Sequence, residues 1–180
     1  MSNKYIGLGK KTPAEAAGIV GSVEKYNYLA HSIREIQTAI LKTHGFDYLI
    51  TTYVSRSNAK AMITFYDRCC EIRLPYDIED MDDIKIRQIL AHELGHLIYN
   101  LDKLKTPEVL EQAGRTNAEE LFAWEFAFYL IKKKSDEHRS NKEISKHIFT
   151  LDELKQSIIS LVRKKKPEIL DDLTRSINNN

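Results

Sequence analysis

The sequence has only two cysteines, almost no net charge and no long apolar run, and each of these shortages argues against a class of protein. Because its two cysteines, Cys69 and Cys70, are adjacent and adjacent cysteines seldom pair, we expect a reducing, cytoplasmic setting. A net charge of +1 argues against a strongly basic protein that coats DNA. The longest apolar stretch, residues 122–131, includes Glu125 and is too short to span a bilayer. Residues 1–11 lack the apolar core of a signal peptide, so we expect none.

The first half of the chain predicts helix followed by sheet. Helical spacing begins with a capping pattern at Thr12 and continues to Thr43, after which Gly45 is placed to end the helix. Stretches rich in β-branched and aromatic residues then predict three strands, at residues 48–54, 60–66 and 69–74. Because Asp67-Arg68 predicts a turn between the last two strands, we expect a small, mostly antiparallel three-stranded sheet.

The second half of the chain predicts helices. Asp82 and Asp83 open a helix near its positive end, and this helix runs to about Asn100. Further helices are predicted at residues 106–114, at residues 117–133, at residues 151–163 behind the capping box Thr150-Leu-Asp-Glu153, and weakly beyond Pro167. The chain of 180 residues shows no internal repeat and no linker rich in proline and glycine. The predicted fold class is therefore α+β, with the small sheet packed with the helix at residues 82–100 and several further helices.

The helix predicted at residues 82–100 carries the most specific chemistry in the sequence, the pattern His-Glu-x-x-His at residues 92–96. Residues four apart share one face of a helix, so the imidazoles of His92 and His96 can bind one zinc ion. Glu93 projects beside them, where its carboxylate can accept a proton from water as a general base. Gly95 removes bulk from one flank of the helix. These residues predict a zinc site with a general base.

A catalytic zinc ion usually has three protein ligands, so a third ligand is expected on a later helix. The stretch 117–127 offers carboxylates at Glu119, Glu120 and Glu125. Glu120 shares a face with Ala123 and Ala127, whose small side chains would let this helix approach the histidine helix closely. Geometry therefore favours Glu120 as the third ligand, and Glu119 remains an alternative.

A peptidase would also need a donor that stabilises the oxyanion of its tetrahedral intermediate. The sequence offers several tyrosine and histidine candidates without selecting among them, and a structural role is the more common one for each: Tyr66, Tyr99, His31 and His147.

Two stretches together resemble a known family. Residues 87–96, Arg-Gln-Ile-Leu-Ala-His-Glu-Leu-Gly-His, resemble the active-site helix of the ImmA/IrrE family of bacterial and phage metallopeptidases. Residues 120–127, Glu-Leu-Phe-Ala-Trp-Glu-Phe-Ala, are similar to the helix that carries that family's third ligand, and Leu130-Ile131 fits its paired aliphatic residues. The chain departs from the family pattern at Phe122, Trp124 and Lys132-Lys133. The resemblance covers roughly residues 46–160.

The resemblance implies a zincin-like fold and a zinc-dependent endopeptidase. Its substrate would be a specific cytoplasmic protein, such as a DNA-binding repressor of a phage, a mobile element or a stress response. We expect His92, His96 and Glu120 to bind Zn²⁺ and Glu93 to be catalytic. The metallopeptidase domain would span residues 1–135 with the N-terminal helices. Residues 136–180 would form a C-terminal helical segment packed on it, which resembles a helix-turn-helix.

Two other functions stay open at this point. The first is a regulator of transcription that keeps the fold without proteolysis and binds DNA or protein, for which residues 132–134 and 163–166 supply basic runs. Such runs are more often solvated faces or helix C-termini, where cations are favourable, so nucleic acid is not the favoured partner. The second is a hydrolase that acts on a non-peptide carbonyl, because the motif chemistry permits any activated carbonyl. Neither the substrate-binding residues nor the oligomeric state follow from the sequence.

Overall fold

The computed structural model describes residues 30–45, 47–54, 60–66, 69–75, 77, 80–101, 115–140 and 149–179. Within these ranges the chain contains five α-helices and one three-stranded sheet, which confirms the α+β class. The chain divides into two compact units, one of residues 1–81 and 100–114 and the other of residues 82–99 and 115–180.

The first unit begins, in its described part, with helix α1, Ala30–His44. The helix ends at Gly45, whose φ of 73° is a left-handed conformation that glycine adopts without steric cost. The N–H of Gly45 donates to the carbonyl oxygen of Leu41 at 2.9 Å, which satisfies one carbonyl of the last turn. The predicted terminator is therefore confirmed, whereas the predicted helical stretch from Thr12 to residue 29 lies outside the described residues.

The sheet of the first unit is mixed, so the expectation of a mostly antiparallel sheet is wrong. Its strands are β1 (Leu49–Val54), β2 (Met62–Phe65) and β3 (Cys69–Leu74), in the spatial order β1-β3-β2. β2 and β3 pair antiparallel, but β1 pairs with β3 in parallel over six residues. The predicted turn at Asp67-Arg68 lies outside the described residues.

The side chains of β3 fit its central position in the sheet. Cys70, Ile72 and Leu74 are fully buried on one face, and Glu71 on the other face is only 9% exposed. The two other residues of that second face, Cys69 and Arg73, are only partly buried, and β2 likewise has one well-buried face. The turn predicted between the last two strands implied an antiparallel pairing of β2 with β3, which is confirmed, whereas no partner was predicted for β1.

Among its described residues, the second unit contains four α-helices and a short 3₁₀ segment. They are α2 (Asp83–Tyr99), α3 (Asn117–Ser140), α4 (Leu151–Lys165), the 3₁₀ turn Pro167–Ile169 and α5 (Leu170–Asn178). The structure confirms the predicted helices at residues 82–100 and 151–163, whose ends differ from the prediction by at most two residues. It also confirms the weak helix after Pro167, which begins one short 3₁₀ turn later. The short helix predicted at residues 106–114 lies outside the described residues.

Helix α3 extends seven residues beyond its predicted end. Glu137 forms ion pairs with Lys133 at 3.9 Å and with Lys134 at 3.0 Å, at helical spacings that favour continuation. Ser135 is buried and its hydroxyl accepts a hydrogen bond from the backbone N–H of Phe149 at 2.8 Å. The predicted domain boundary at residue 135 falls inside this helix, and the assignment of residues 136–180 to a separate segment stays a prediction.

Helix α2 is buried on all sides from Ile86 to Leu97, which fits a helix at the centre of a core. Within its own unit, α4 fixes it through the buried amide of Gln88. That amide donates to the carbonyl oxygen of Leu154 at 3.1 Å and accepts from the hydroxyl of Ser157 at 2.7 Å. Helix α4 itself starts with the predicted capping box, in which Thr150 accepts from the backbone N–H of Glu153. The position of the motif helix is thus set by specific polar contacts as well as by apolar packing.

None of the helices in the described ranges combines the length and the apolar character that crossing a bilayer requires.

Candidate metal centre

Two helices of the second unit supply the side chains of the candidate site. His92, Glu93 and His96 lie on α2, where the four-residue spacing puts the two imidazoles one turn apart. Glu119 and Glu120 lie in the first turn of α3, a position at which acidic residues are stabilised by the helix dipole.

A close approach of the two helices brings these side chains together. A Cβ atom built on Gly95 of α2 would lie 2.7 Å from the Cα of Ala123 on α3 and 2.9 Å from its carbonyl oxygen. Real Cβ atoms essentially never come this close to backbone atoms. Only glycine therefore allows α2 to contact the backbone of α3 at this point. Ala123 and Ala127 are fully buried, as their predicted role at the helix contact requires.

The donor atoms of His92, His96 and Glu120 converge on one point. The two Nε2 atoms are 3.1 Å apart, and the Glu120 carboxylate lies 3.5 Å from Nε2 of His92 and 3.9 Å from Nε2 of His96. A tetrahedral zinc ion with bonds of about 2.0–2.1 Å separates its ligand atoms by about 3.3 Å. All three residues are buried. The group could therefore hold a metal ion, and Glu120 rather than Glu119 is the carboxylate that completes it.

Glu119 has a different geometric relation to the site. One of its carboxylate oxygens lies 2.9 Å from Nδ1 of His96. A carboxylate at Nδ1 favours the His96 tautomer that carries its ring proton there, and in that tautomer Nε2, which faces His92 and Glu120, has a free lone pair. A carboxylate that holds the outer nitrogen of a histidine is the usual partner of a metal-binding imidazole. The arrangement therefore fits a metal ion, with Glu119 as an orienting residue.

The ring of His92 is oriented by an aromatic contact, and no carboxylate among the described residues bonds its outer nitrogen, Nδ1. Its ring stacks on the indole of Trp124, with ring centroids 3.9 Å apart and an angle of 25° between the planes. Burial, with the neighbouring His96 and Arg115 as smaller causes, lowers the pKa of His92 well below its ordinary value. The imidazole is therefore neutral near pH 7, the form in which histidine binds metals. Nδ1 of His92 and Nε1 of Trp124 are buried without a hydrogen-bond partner among the described residues.

Glu93, the predicted general base, lies beside the metal-binding group and is 2% exposed. Burial raises the pKa of its carboxyl, and the positive charge of Arg115 opposes that rise. Nη2 of Arg115 donates to the Glu93 carboxylate at 3.4 Å. Arg115 was not among the residues predicted from the sequence. The sequence does contain one signal for it. Arg115 directly precedes the acidic first turn of α3, and the helix dipole disfavours a cation at that position, so a cation there indicates a nearby negative partner.

The remaining predicted residues have other placements. Tyr66 lies next to the sheet of the first unit, where its hydroxyl donates to the carboxylate of Glu71 at 3.4 Å. Tyr99 ends α2 and packs its ring near that of Phe122 at 5.5 Å. The side chain of His31 and all of His147 lie outside the described residues. These placements do not select an oxyanion donor.

The two basic runs also differ from each other. In the first run, Lys134 is 5% exposed and forms the ion pair with Glu137, so it belongs to the folded structure of α3. The second run, Arg163, Lys164 and Lys165, is exposed in the last turn of α4, where the helix dipole favours cations.

No family model, no curated protein and no solved structure matches this chain. The fold and the site by themselves define an α+β protein with a buried His-His-Glu group that could hold a metal ion.

Proposed function

We propose that this protein is a zinc-dependent endopeptidase of the ImmA/IrrE type, with a zincin-like fold, that cleaves a specific cytoplasmic protein such as a DNA-binding repressor. The observation that carries the proposal is the convergence of His92, His96 and Glu120 beside Glu93. A metal-binding group alone has many uses. Hydrolysis also requires a general base that is not a ligand. Glu93 is a buried carboxylate of this kind, on the same helix as His92 and His96.

The choice of zinc is supported by the donor set. Two imidazoles and one carboxylate are the ligands of a well-known class of catalytic zinc sites, which leave a further coordination position for water or substrate. The three donors come from two different helices in contact, so the site is assembled by folding and not by a local loop. Glu119 supplies the outer contact that such a site needs at one of its histidines.

The chemistry divides between the metal ion and the chain. Bound zinc would lower the pKa of water and polarise a carbonyl group. Glu93 accepts the proton of the attacking water and passes it to the leaving amine, which completes hydrolysis of the peptide bond. Burial suits Glu93 to this exchange because it brings the pKa of the carboxyl closer to neutrality. Trp124 and the surrounding buried side chains limit the access of bulk water.

The test separates metal binding from catalysis with the variant Glu93→Gln. Glutamine has nearly the same size but cannot accept the proton, so we expect retained zinc and a loss of cleavage of about 100-fold or more. Cleavage would be followed on a co-expressed candidate repressor and zinc by elemental analysis. Glu125→Gln is the matched control, because Glu125 lies on α3 outside the metal-binding group. Undiminished cleavage by Glu93→Gln would remove the proposed mechanism.

The exposed cations Arg163, Lys164 and Lys165 favour a second candidate, a non-proteolytic regulator that binds DNA or protein. On that account, replacing Arg163 and Lys164 by glutamine abolishes activity in cells while Glu93→Gln leaves it intact. Lys165 is left unchanged because its charge acts on Glu93. A gel-shift titration with DNA at low salt tests the nucleic-acid version, since contacts to phosphates are strongest there. No shift at low salt would contradict it.

A further inference from the structure

The positive charges of Lys165 and Arg115 both act on Glu93 at the candidate metal centre, and Arg115 also reaches Glu120. Its Nη2 lies 3.4 Å from Glu93 and its Nη1 lies 4.0 Å from Glu120. The side chain of Arg115 is 32% exposed, whereas those of Glu93 and Glu120 are 3% and 7% exposed. One partly exposed guanidinium thus bridges the proposed base and the proposed third ligand.

The bridge is loose in geometric terms. Charge-assisted hydrogen bonds between nitrogen and oxygen typically measure about 2.7–2.9 Å, and both of these contacts are longer. Because the guanidinium is partly exposed, water can hydrate its charge when it leaves such a contact. The buried carboxylates have no comparable freedom, because an uncompensated buried charge is costly. Arg115 therefore compensates the charges of the two carboxylates through contacts that another cation can replace.

From this geometry we propose that Arg115 is the counter-cation of the metal-free site: it compensates Glu93 and Glu120, yields Glu120 when a divalent metal ion binds, and thereby limits how tightly that ion is held. The inference rests on the metal site of the proposed function and adds to it a residue that sets the affinity. Arg115 acts through the two carboxylates and is a positioning residue, not a ligand.

The sign of the effect follows from which state Arg115 stabilises. In the metal-free protein its charge is attracted to two buried carboxylates. In the metal-bound protein the same charge is repelled by a dication that shares Glu120. Removing the charge therefore raises the free energy of the metal-free state more than that of the metal-bound state. A residue that only supported the fold or the ligands would instead leave the affinity unchanged or weaken it.

The experiment measures Zn²⁺ affinity in the whole protein after its metal has been removed with a chelator. Trp124 is the only tryptophan of the chain and stacks on His92, so its fluorescence reports occupancy without any substrate. We expect Arg115→Gln to bind Zn²⁺ about tenfold more tightly than the wild type, which corresponds to about 1.4 kcal/mol. Arg115→Lys keeps the charge but loses the planar fork, so its affinity should lie between the two.

The matched control is Arg175→Gln, which changes the net charge equally but removes an exposed ion pair with Asp172 on α5. Its Zn²⁺ affinity should equal that of the wild type. An unchanged or weaker affinity in Arg115→Gln, with wild-type binding intact, would overturn the role of Arg115 and leave the proposed peptidase standing. Failure of the wild-type protein to bind Zn²⁺ at all would overturn both.

Discussion

At the contact between α2 and α3, position 95 has no room for a side chain, because the backbone of Ala123 lies against Gly95. The Cβ of a Gly95→Ala variant would fall about 0.7 Å short of the ordinary contact limit of 3.4 Å from the Cα of Ala123. Because the obstructing atoms are backbone, no side-chain rotation relieves the overlap, and helices α2 and α3 have to separate. The two helices carry different members of the metal-binding group, so their separation changes the donor distances directly.

Two opposing terms give the size of the effect on stability. Overpacking a well-packed core costs about 1–3 kcal/mol, and a backbone clash belongs in the upper part of that range. Alanine recovers about 1 kcal/mol of helix propensity relative to glycine. We therefore expect the free energy of unfolding of metal-free Gly95→Ala to fall by about 1–2 kcal/mol, measured by urea denaturation.

The effect on metal binding should be larger than the effect on stability suggests. Ligand distances in metal sites hold to within about 0.2 Å, and the required separation exceeds that tolerance. We expect the Zn²⁺ dissociation constant of Gly95→Ala to rise by about tenfold or more, a loss comparable with that from changing an outer-contact residue. Trp124 fluorescence and competition with a chelator of known affinity would both report it.

Two further variants make this prediction specific. Gly45→Ala lies in the other unit, has a φ of 73° and meets no atom within 4 Å, so it should cost about 1–2 kcal/mol and leave Zn²⁺ binding unchanged. Adding Ala123→Gly to Gly95→Ala should not restore binding, since the Cα and carbonyl oxygen of residue 123 remain. A Gly95→Ala protein that is more stable than the wild type and binds Zn²⁺ equally well would refute the reasoning.

Three other outcomes follow from individual contacts. Glu119→Gln should weaken Zn²⁺ binding about 10- to 100-fold in a chelator titration because it disturbs the partner of His96, and unchanged binding would contradict that role. Hydrogen bonds from Thr150 lower the pKa of Glu153, so the capping box stabilises the protein above the ordinary glutamate pKa and loses this effect as pH falls through the lowered pKa. The melting-temperature difference between wild type and Glu153→Gln should therefore persist at neutral pH and vanish below the lowered pKa. Burial raises the pKa of Cys70, so a thiol reagent in native protein should modify the neighbouring cysteine first, and equal rates would argue against the burial.

Local sequence signals were sufficient for the parts of the site that lie on one helix. The four-residue spacing of His92 and His96 and the acidic start of α2 are properties of a single helix. The choice of Glu120 required one step more, the inference that Ala123 allows a close helix contact, and the structure places Glu120 accordingly. Helix boundaries were also predictable where a capping box or a left-handed glycine marks them.

Contacts between elements were not predictable in the same way. The bond from Glu119 to His96 and the bridge from Arg115 depend on where the first turn of α3 meets α2, which no spacing in the sequence encodes. The parallel pairing of β1 with β3 was missed for a related reason. A turn between neighbouring strands is a local signal, whereas the pairing of β1 with β3 joins segments that are separated along the chain by β2.

The central claim is that His92, His96 and Glu120 bind one metal ion, and metal content tests it most directly. Elemental analysis of the purified protein should find about one zinc ion per chain in the wild type and in Glu93→Gln. His92→Ala should contain almost none after the same purification, with its helical content unchanged by circular dichroism. A wild-type protein that takes up no zinc, or a His92→Ala protein that retains as much as the wild type, would contradict the account.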